Sequence, residues 1–194
     1  MESMNVIDGF YVDPMTDFDE LNEFSCGHAP MDDFLRNHLR DCEESHYCKS
    51  FSVRSVNDAT LVAVFALAFD SVDVEADDFD DMRIGATGTG LPHVNDAFRV
   101  QFEQKSTYPA LEIAYLAVSC DCQRMNMGRA LLEEIIRRAK HQEVAGCVFL
   151  SVKAWHTPEY SAVPFYEKNG FARLTPLPQG DVWPMYCTIW PDEV

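Results

Sequence analysis

A turn in the second half of the chain lies between an apolar run and an amphipathic helix that begins with a glycine. The run covers residues 111–119, the turn covers 120–127, and helical spacing of apolar residues begins at Gly128. The first turn of a helix exposes backbone N–H groups at the positive end of its dipole, where a phosphate or pyrophosphate can bind. Gly128 allows close backbone approach, and Arg124 and Arg129 add positive charge. The spacing therefore predicts a phosphate-binding turn.

Alternating strands and helices surround this turn. Residues 50–56 and 60–69 flank an Asn57–Asp58 turn and predict a β-hairpin. Residues 70–81 carry seven acidic side chains and no basic one, which predicts a solvated loop. The remaining predicted strands are 6–12, 111–119, 147–153, 171–177 and 185–190. The predicted helices are 30–41, 96–104 and 128–141. A further short helix includes Phe165 and Tyr166, has Pro164 in its first turn and stops at Gly170. This order indicates a mixed α/β sheet. The length of 194 residues indicates one domain spanning 1–194.

Two segments of the second half resemble a known family. Residues 123–128, Gln-Arg-Met-Asn-Met-Gly, are similar to the Q/R-x-x-G-x-G/A acyl-CoA motif of the GNAT-type N-acetyltransferases. Residues 164–171, Pro-Phe-Tyr-Glu-Lys-Asn-Gly-Phe, resemble the family's F-Y-x-x-x-G-F segment. The resemblance covers residues 108–190 well. The first half matches more loosely, through residues 24–27, the following helix over 31–39 and the hairpin. Asn126 stands where the family has its first motif glycine, and asparagine tolerates left-handed backbone better than most residues.

The resemblance implies a fold and a cofactor site. The implied fold is α/β (α+β), with a GNAT-like mixed, mostly antiparallel β-sheet flanked by helices and a V-shaped splay between the two central parallel strands. The implied reaction is direct attack of an amine on acetyl-CoA, without a metal. The pyrophosphate is implied to rest on the amides of the turn, and the pantetheine arm to pair with the first splayed strand. The implied cofactor-binding residues are Leu116, Ala117, Val118, Gln123, Arg124, Met125, Asn126, Met127, Gly128, Arg129 and Ala130.

Two side chains are candidates for proton transfer. The resemblance makes Tyr166 the acid that protonates the departing thiolate, and a phenol with a pKa near 10 can do so. Glu112 lies where the histone-acetyltransferase branch carries its general base. Desolvation there would raise the pKa of Glu112 towards a useful value for a base. The alternative, a structural carboxylate paired with a basic neighbour, is equally open.

The charge balance bears on the acceptor. Lys and Arg total 15 and Asp and Glu total 32, so the formal net charge is −17. A nucleic-acid partner needs a basic surface, so this balance favours a cationic small amine, a polyamine or a lysine or peptide amine. Two alternatives stay open, namely a toxin-type acetyltransferase acting on aminoacyl-tRNA and a non-catalytic acyl-CoA-binding module. Whether the protein forms a homodimer is also left open.

Features of compartment and metal binding are largely negative. The sequence has no apolar run long enough to span a membrane, and its acidic start does not resemble a signal peptide. Seven irregularly spaced cysteines indicate reduced thiols, so we expect a cytoplasmic protein without membrane association. The pairs Cys26/His28 and His46/Cys48 fit no common zinc spacing, and no metal site is expected.

Overall fold

The computed structural model describes residues 6–7, 9–87, 89–92 and 94–189. The chain forms two compact units, one built from Met1–Ala68 and Ile113–Glu134 and the other from Phe69–Glu112 and Ile135–Val194. The fold is mixed α/β, with mostly antiparallel strands flanked by helices, as the sequence indicates. The single-domain assignment and the splay between two strands stay predictions.

The strands of the first unit are neighbours in the order β1-β2-β3-β4-β5. They are β1 (Val6–Ile7), β2 (Phe10–Pro14), β3 (Lys49–Ser55), β4 (Leu61–Asp73) and β5 (Thr107–Val118), of which β4 and β5 also contribute to the second unit. The first three pairings are antiparallel, and the predicted hairpin of residues 50–69 is confirmed as β3 and β4. The single opening strand predicted over 6–12 is wrong, because the chain reverses at Gly9, whose φ is +90°.

Two helices cover this part of the sheet. They are α1 (Ala29–Asn37) and α2 (Leu39–Glu44), whereas the sequence predicted one helix over 30–41. The break lies at His38, whose φ of −130° is not helical, and it follows Asn37, a weak helix former. Leu35 and Leu39 pack into a core with Val64 of β4 and Ala117 of β5.

The strands of the second unit are neighbours in the order β4-β5-β6-β8-β7, with β6 (Phe149–Trp155), β7 (Ala172–Arg173) and β8 (Val182–Thr188). Strand β6 pairs antiparallel with β8, and Ser151 lies opposite Tyr186. At the start of β5 and β6, the Val148 N–H donates to the Pro109 carbonyl at 2.9 Å. The strand predicted over 171–177 is reduced to two residues, and the end of the one predicted over 185–190 lies outside the described residues.

The acidic segment is not the predicted solvated loop. It contains the end of β4 and a helix, α3 (Ala76–Arg83), which is followed by α4 (Asp96–Glu103). A reciprocal capping box joins Glu75 and Asp78, and acidic residues stabilise the positive end of a helix dipole. Phe79 and Met82, one turn apart, are buried. The acidic side chains therefore start a helix rather than prevent one.

The two helices that follow the chemical motifs agree with the sequence. Helix α5 (Met127–His141) begins one residue before the predicted Gly128 and buries Leu131, Leu132, Ile135 and Ala139. Glu134 of the same helix is also only 6% exposed. It lies beside Ile135 and one turn after Leu131, at the margin of the buried stripe. Helix α6 (Val163–Lys168) has Pro164 in its first turn, and Gly170 follows it with a φ of +84°.

Candidate functional site

The turn between β5 and α5 has the backbone that its sequence suggested. A short 3-10 turn, Cys120–Cys122, follows the strand. Arg124 and Asn126 then both adopt left-handed backbone, with φ of +62° and +60°. Asparagine is among the few residues besides glycine that visit this region readily. Asn126 thus occupies the conformation that the substituted motif glycine would favour, whereas the left-handed Arg124 was not foreseen.

The turn is open on its outer side. Arg124, Met125 and Asn126 are exposed, Met125 to 70%, while Met127 is buried beneath them. The Ala130 N–H donates to the Asn126 carbonyl at 3.1 Å, which is the first bond of the helical ladder. The N–H groups that precede it in α5, those of residues 127–129, start the helix and lack intrahelical acceptors. Such groups can bind an anionic oxygen.

Gln123 holds the base of the turn. Its Nε2 donates to the Cys26 carbonyl at 2.7 Å and to the Val118 carbonyl at 2.9 Å. One amide group therefore connects the end of β5 to the segment before α1. The Cys120 N–H adds a third connection by donating to the Ser25 carbonyl at 3.0 Å. The described geometry makes the Gln123 side chain a support of the turn, and its predicted contact with a cofactor stays a proposal.

The two arginines have different surroundings. Arg129 forms an ion pair of 2.9 Å with Glu133, one turn later on α5, and both side chains are well exposed. Such surface pairs contribute at most about 1 kcal/mol, so the guanidinium can exchange Glu133 for a phosphate at little cost. Arg124 is exposed at the tip of the turn. Both positions suit a phosphate contact and ordinary solvation equally.

The strand that leads to the turn is less exposed. Ala117 is buried in the core of the first unit, and Leu116 and Val118 are half-buried. The Ser119 N–H, directly after the strand, donates to the Val62 carbonyl at 2.8 Å. The predicted pairing of residues 116–118 with a pantetheine arm remains untested.

A supporting cluster before α1 was missed at the level of sequence. Asp32 accepts hydrogen bonds from the Ser25 hydroxyl at 2.7 Å and from the Cys26 N–H at 2.8 Å. Burial opposes ionisation of Asp32, but these bonds lower its pKa. Burial and the nearby Asp32 raise the pKa of the Cys26 thiol to about 12, so it stays protonated at neutral pH. The signal was only a serine and an aspartate seven residues apart, which is too common to indicate a site.

Glu112 has a basic partner, as the interpretation of this residue as a structural carboxylate requires. It is 8% exposed, and its Oε1 accepts a hydrogen bond of 2.9 Å from the Nζ of Lys153 on β6. This pair supports a structural role and does not test a role as base. Lys153 was not singled out in the sequence, because the pairing requires knowing that β5 and β6 are neighbours.

Tyr166 is buried on α6. It is 6% exposed, and its ring contacts Phe165 and Phe171 edge-on, with centroids 5.1 and 5.2 Å away. Burial, with a smaller contribution from the nearby Tyr160, raises the pKa of Tyr166 well above its ordinary value. The phenol therefore keeps its proton at neutral pH, as an acid must, although the ring also serves as core.

Membrane-spanning helices and metal sites are considered for the described residues only. Within them, no helix is long and apolar enough to cross a membrane. In the same part of the chain, no group of three or more His, Cys, Asp or Glu side chains is arranged to hold a metal ion.

Comparison with known families gives the class of the protein. Residues 89–173 match the family described as the acetyltransferase (GNAT) domain. This match confirms the resemblance noted in the sequence and the expected class of acetyl-CoA-dependent acyltransferase. A search of curated proteins finds no match.

Several solved structures of similar fold are described as toxins or their complexes. The chain is similar to a structure described as a bacterial toxin, with 17% identity over 93% of this chain and 90% of the other and a TM-score of 0.67. It is also similar to a Tyr-to-Phe mutant of the AtaT toxin bound to the C-terminus of the antitoxin AtaR and acetyl-CoA, with 16% identity, 94% of both chains and a TM-score of 0.62. A third is AtaT complexed with acetyl-methionyl-tRNAfMet, with 16% identity over 90% of this chain and 93% of the other and a TM-score of 0.63. At these identities, the likeness concerns the fold.

Proposed function

We propose that this protein transfers an acetyl group from acetyl-CoA to the amino group of an aminoacyl-tRNA. Support for the acetyl transfer comes from the family match and from the open turn that starts α5. Support for the acceptor comes from the toxin structures of similar fold, one of which contains an acetylated aminoacyl-tRNA. These neighbours favour the aminoacyl-tRNA over the cationic small amine that the net charge suggested.

The open turn between Gln123 and Ala130 is the observation that carries the proposal. Its left-handed Asn126 precedes the N–H groups of residues 127–129, which can bind the diphosphate of acetyl-CoA. The exposed Arg124 and Arg129 supply positive charge at the two ends of this segment. Residues Leu116, Ala117 and Val118 are proposed to bind the pantetheine arm and, through a backbone N–H, the developing oxyanion.

In the proposed reaction, the neutral amine nitrogen attacks the thioester carbonyl carbon. As the C–N bond becomes established, the C–S bond breaks, and the thiolate takes a proton from the phenol of Tyr166. The acylated nitrogen then loses its surplus proton to water, and the tyrosinate regains a proton from water. The family resemblance gives Tyr166 this role, and its high pKa keeps the proton available until a thiolate forms. The proton that the ammonium must lose beforehand goes to Glu112 or to water.

A cationic small amine is the second candidate acceptor. The net charge of −17 supports it, because the field of an acidic protein attracts cations. A non-catalytic acyl-CoA-binding module is the third alternative and differs from both in producing no acetylated product.

The test combines binding with a panel of acceptors. Calorimetry with acetyl-CoA should show binding, and its absence at high micromolar concentration would remove the enzymatic hypothesis. Labelled acetyl groups should then appear on aminoacyl-tRNA but not on deacylated tRNA, which lacks the amino group. If the label appears on a polyamine or a lysine peptide and not on the tRNA, the proposed acceptor is wrong and the second candidate takes its place. Binding without transfer to any of them would indicate the non-catalytic module.

A further inference from the structure

One face of the sheet in the second unit changes from apolar to polar along the strands. Phe149 on β6 contacts Tyr108 and Tyr186 edge-on, with centroids 5.9 and 5.5 Å away. Two and four residues later on the same face of β6 come Ser151 and Lys153. The polar end of this face is therefore built on one continuous strand.

The pair of Glu112 and Lys153 at this end is asymmetric. The Glu112 side chain is only 10% exposed, whereas that of Lys153 is 58% exposed, and the Nζ–Oε1 distance is 2.9 Å. A buried carboxylate loses much of its hydration and stays ionised only when a charge or several donors compensate for the loss. Lys153 supplies this compensation from the solvent side, where its ammonium keeps part of its hydration.

The other titratable groups on this face have defined places. Asp70 of β4 accepts a hydrogen bond from the Ser151 hydroxyl. Tyr108 of β5 lies four residues before Glu112 and shares a face of the strand with it. Tyr186 of β8 lies opposite Ser151. Burial raises the pKa of Tyr186 to about 12, with smaller contributions from acidic residues of α3, namely Asp78 and Asp81. Burial likewise raises the pKa of Tyr108, so both tyrosines are neutral near pH 7.

We propose that Lys153 is a positioning residue for Glu112 in the acetyl transfer. It orients the buried carboxylate, so that Glu112 can take the proton from the acceptor ammonium before attack. In this step one N–H bond of the ammonium breaks, an O–H bond forms on Glu112, and the amine lone pair becomes available. The proton on Glu112 later passes to water. This inference rests on the proposed function.

The inference has a specific kinetic signature. In Lys153→Met the buried carboxylate loses the ammonium that orients it, so kcat should fall about tenfold or more while the KM for acetyl-CoA hardly changes. Lys153→Arg retains a positively charged donor and should restore most of kcat.

The experiment measures kcat and the KM for acetyl-CoA with aminoacyl-tRNA as acceptor for these two variants, for Glu112→Gln and for the control Lys105→Met. Lys105 is an exposed lysine after α4, and its replacement should leave both constants unchanged. Glu112→Gln should lower kcat, and adding Lys153→Met to it should cause no further loss, because Lys153 acts only through Glu112. Urea unfolding of each variant reports on folding separately.

The possible failures are distinguishable. If Lys153→Met leaves kcat unchanged, lowers it equally with and without Glu112, or only lowers the free energy of unfolding, then Lys153 is structural and the inference is wrong. The same holds if Glu112→Gln transfers acetyl groups normally, and acetyl transfer to tRNA is then still established. If the unchanged protein transfers no acetyl group to tRNA, the proposed function itself fails.

Discussion

The backbone of Asn126 allows a direct test of the cofactor turn. Its φ of +60° lies in the left-handed region, where a β-carbon crowds the following carbonyl. Asparagine tolerates this conformation, glycine adopts it freely, and a β-branched residue strongly resists it. We therefore compare Asn126→Val with Asn126→Gly.

The expected magnitudes follow from the backbone alone, because the Asn126 side chain is exposed. Left-handed backbone costs an ordinary residue roughly 1–2 kcal/mol, and somewhat more for a branched one, so Asn126→Val should lower the free energy of unfolding by about that amount. If the turn relaxes to avoid this cost, its N–H groups move, and acetyl-CoA affinity should fall by about tenfold for each 1.4 kcal/mol. Asn126→Gly should bind acetyl-CoA at least as tightly as the unchanged protein.

Calorimetry with acetyl-CoA and urea unfolding measure the two quantities. Asn57→Val is the matched control, since Asn57 lies in the exposed turn after β3 and does not have a positive φ. The reasoning is refuted if Asn126→Val binds acetyl-CoA with unchanged affinity, because the turn would then not hold the cofactor through its backbone. Loss of affinity in Asn126→Gly would refute it as well and would assign binding to the amide side chain.

Three further predictions concern the described site. Tyr166→Phe should slow acetyl transfer by about 10²-fold or more, while the acetyl-CoA affinity and the free energy of unfolding hardly change. If turnover is unaltered although the chemical step limits its rate, Tyr166 has a structural role only. Asp32→Asn should destabilise the protein by about 1 kcal/mol at pH 7. Because the folded pKa of Asp32 is lowered, this stabilisation is present above its unfolded pKa and disappears as pH falls through the folded one, so the two unfolding curves should converge in acid. Gly27→Ala should destabilise by about 1–2 kcal/mol, since its φ is +79° and a Cβ would lie 3.1 Å from the Cys120 sulfur, and an unchanged midpoint in urea would contradict this.

Local patterns predicted the fold well where one element decides its own conformation. The apolar stripe of α5, the first-turn Pro164 of α6 and the glycine after that helix are all confirmed. The acidic segment shows the opposite case. Seven acidic residues suggested a loop, while the apolar pair Phe79 and Met82 and the capping residues Glu75 and Asp78 already encoded a helix. The high density of acidic residues suggested a loop although the spacing of apolar and capping residues was already that of a helix.

Contacts between distant residues could not be predicted in the same way. Lys153 meets Glu112 only because β5 and β6 are neighbours, and one sequence does not give the order of strands. Similarly, Gln123 matched a cofactor motif, but its amide bonds to the Cys26 and Val118 carbonyls. A motif gives the type of residue that a site requires, whereas the tertiary fold decides which atoms of that residue are still available.

The net charge of −17 is a weaker argument about the acceptor than it first suggests. At physiological ionic strength the Debye length is about 8 Å, so exposed charges far from a contact are largely screened. Residues 124–141 contain five of the 15 lysines and arginines and only two acidic residues, while residues 70–81 contain seven acidic residues and no basic one. A polyanion responds to the charges within a Debye length of its own phosphates, so a locally basic segment can bind tRNA on an acidic protein. We therefore expect tRNA acetylation to weaken as salt increases, with a slope set by the number of phosphates contacted. A rise with salt would show that long-range repulsion dominates and would favour the small cationic acceptor.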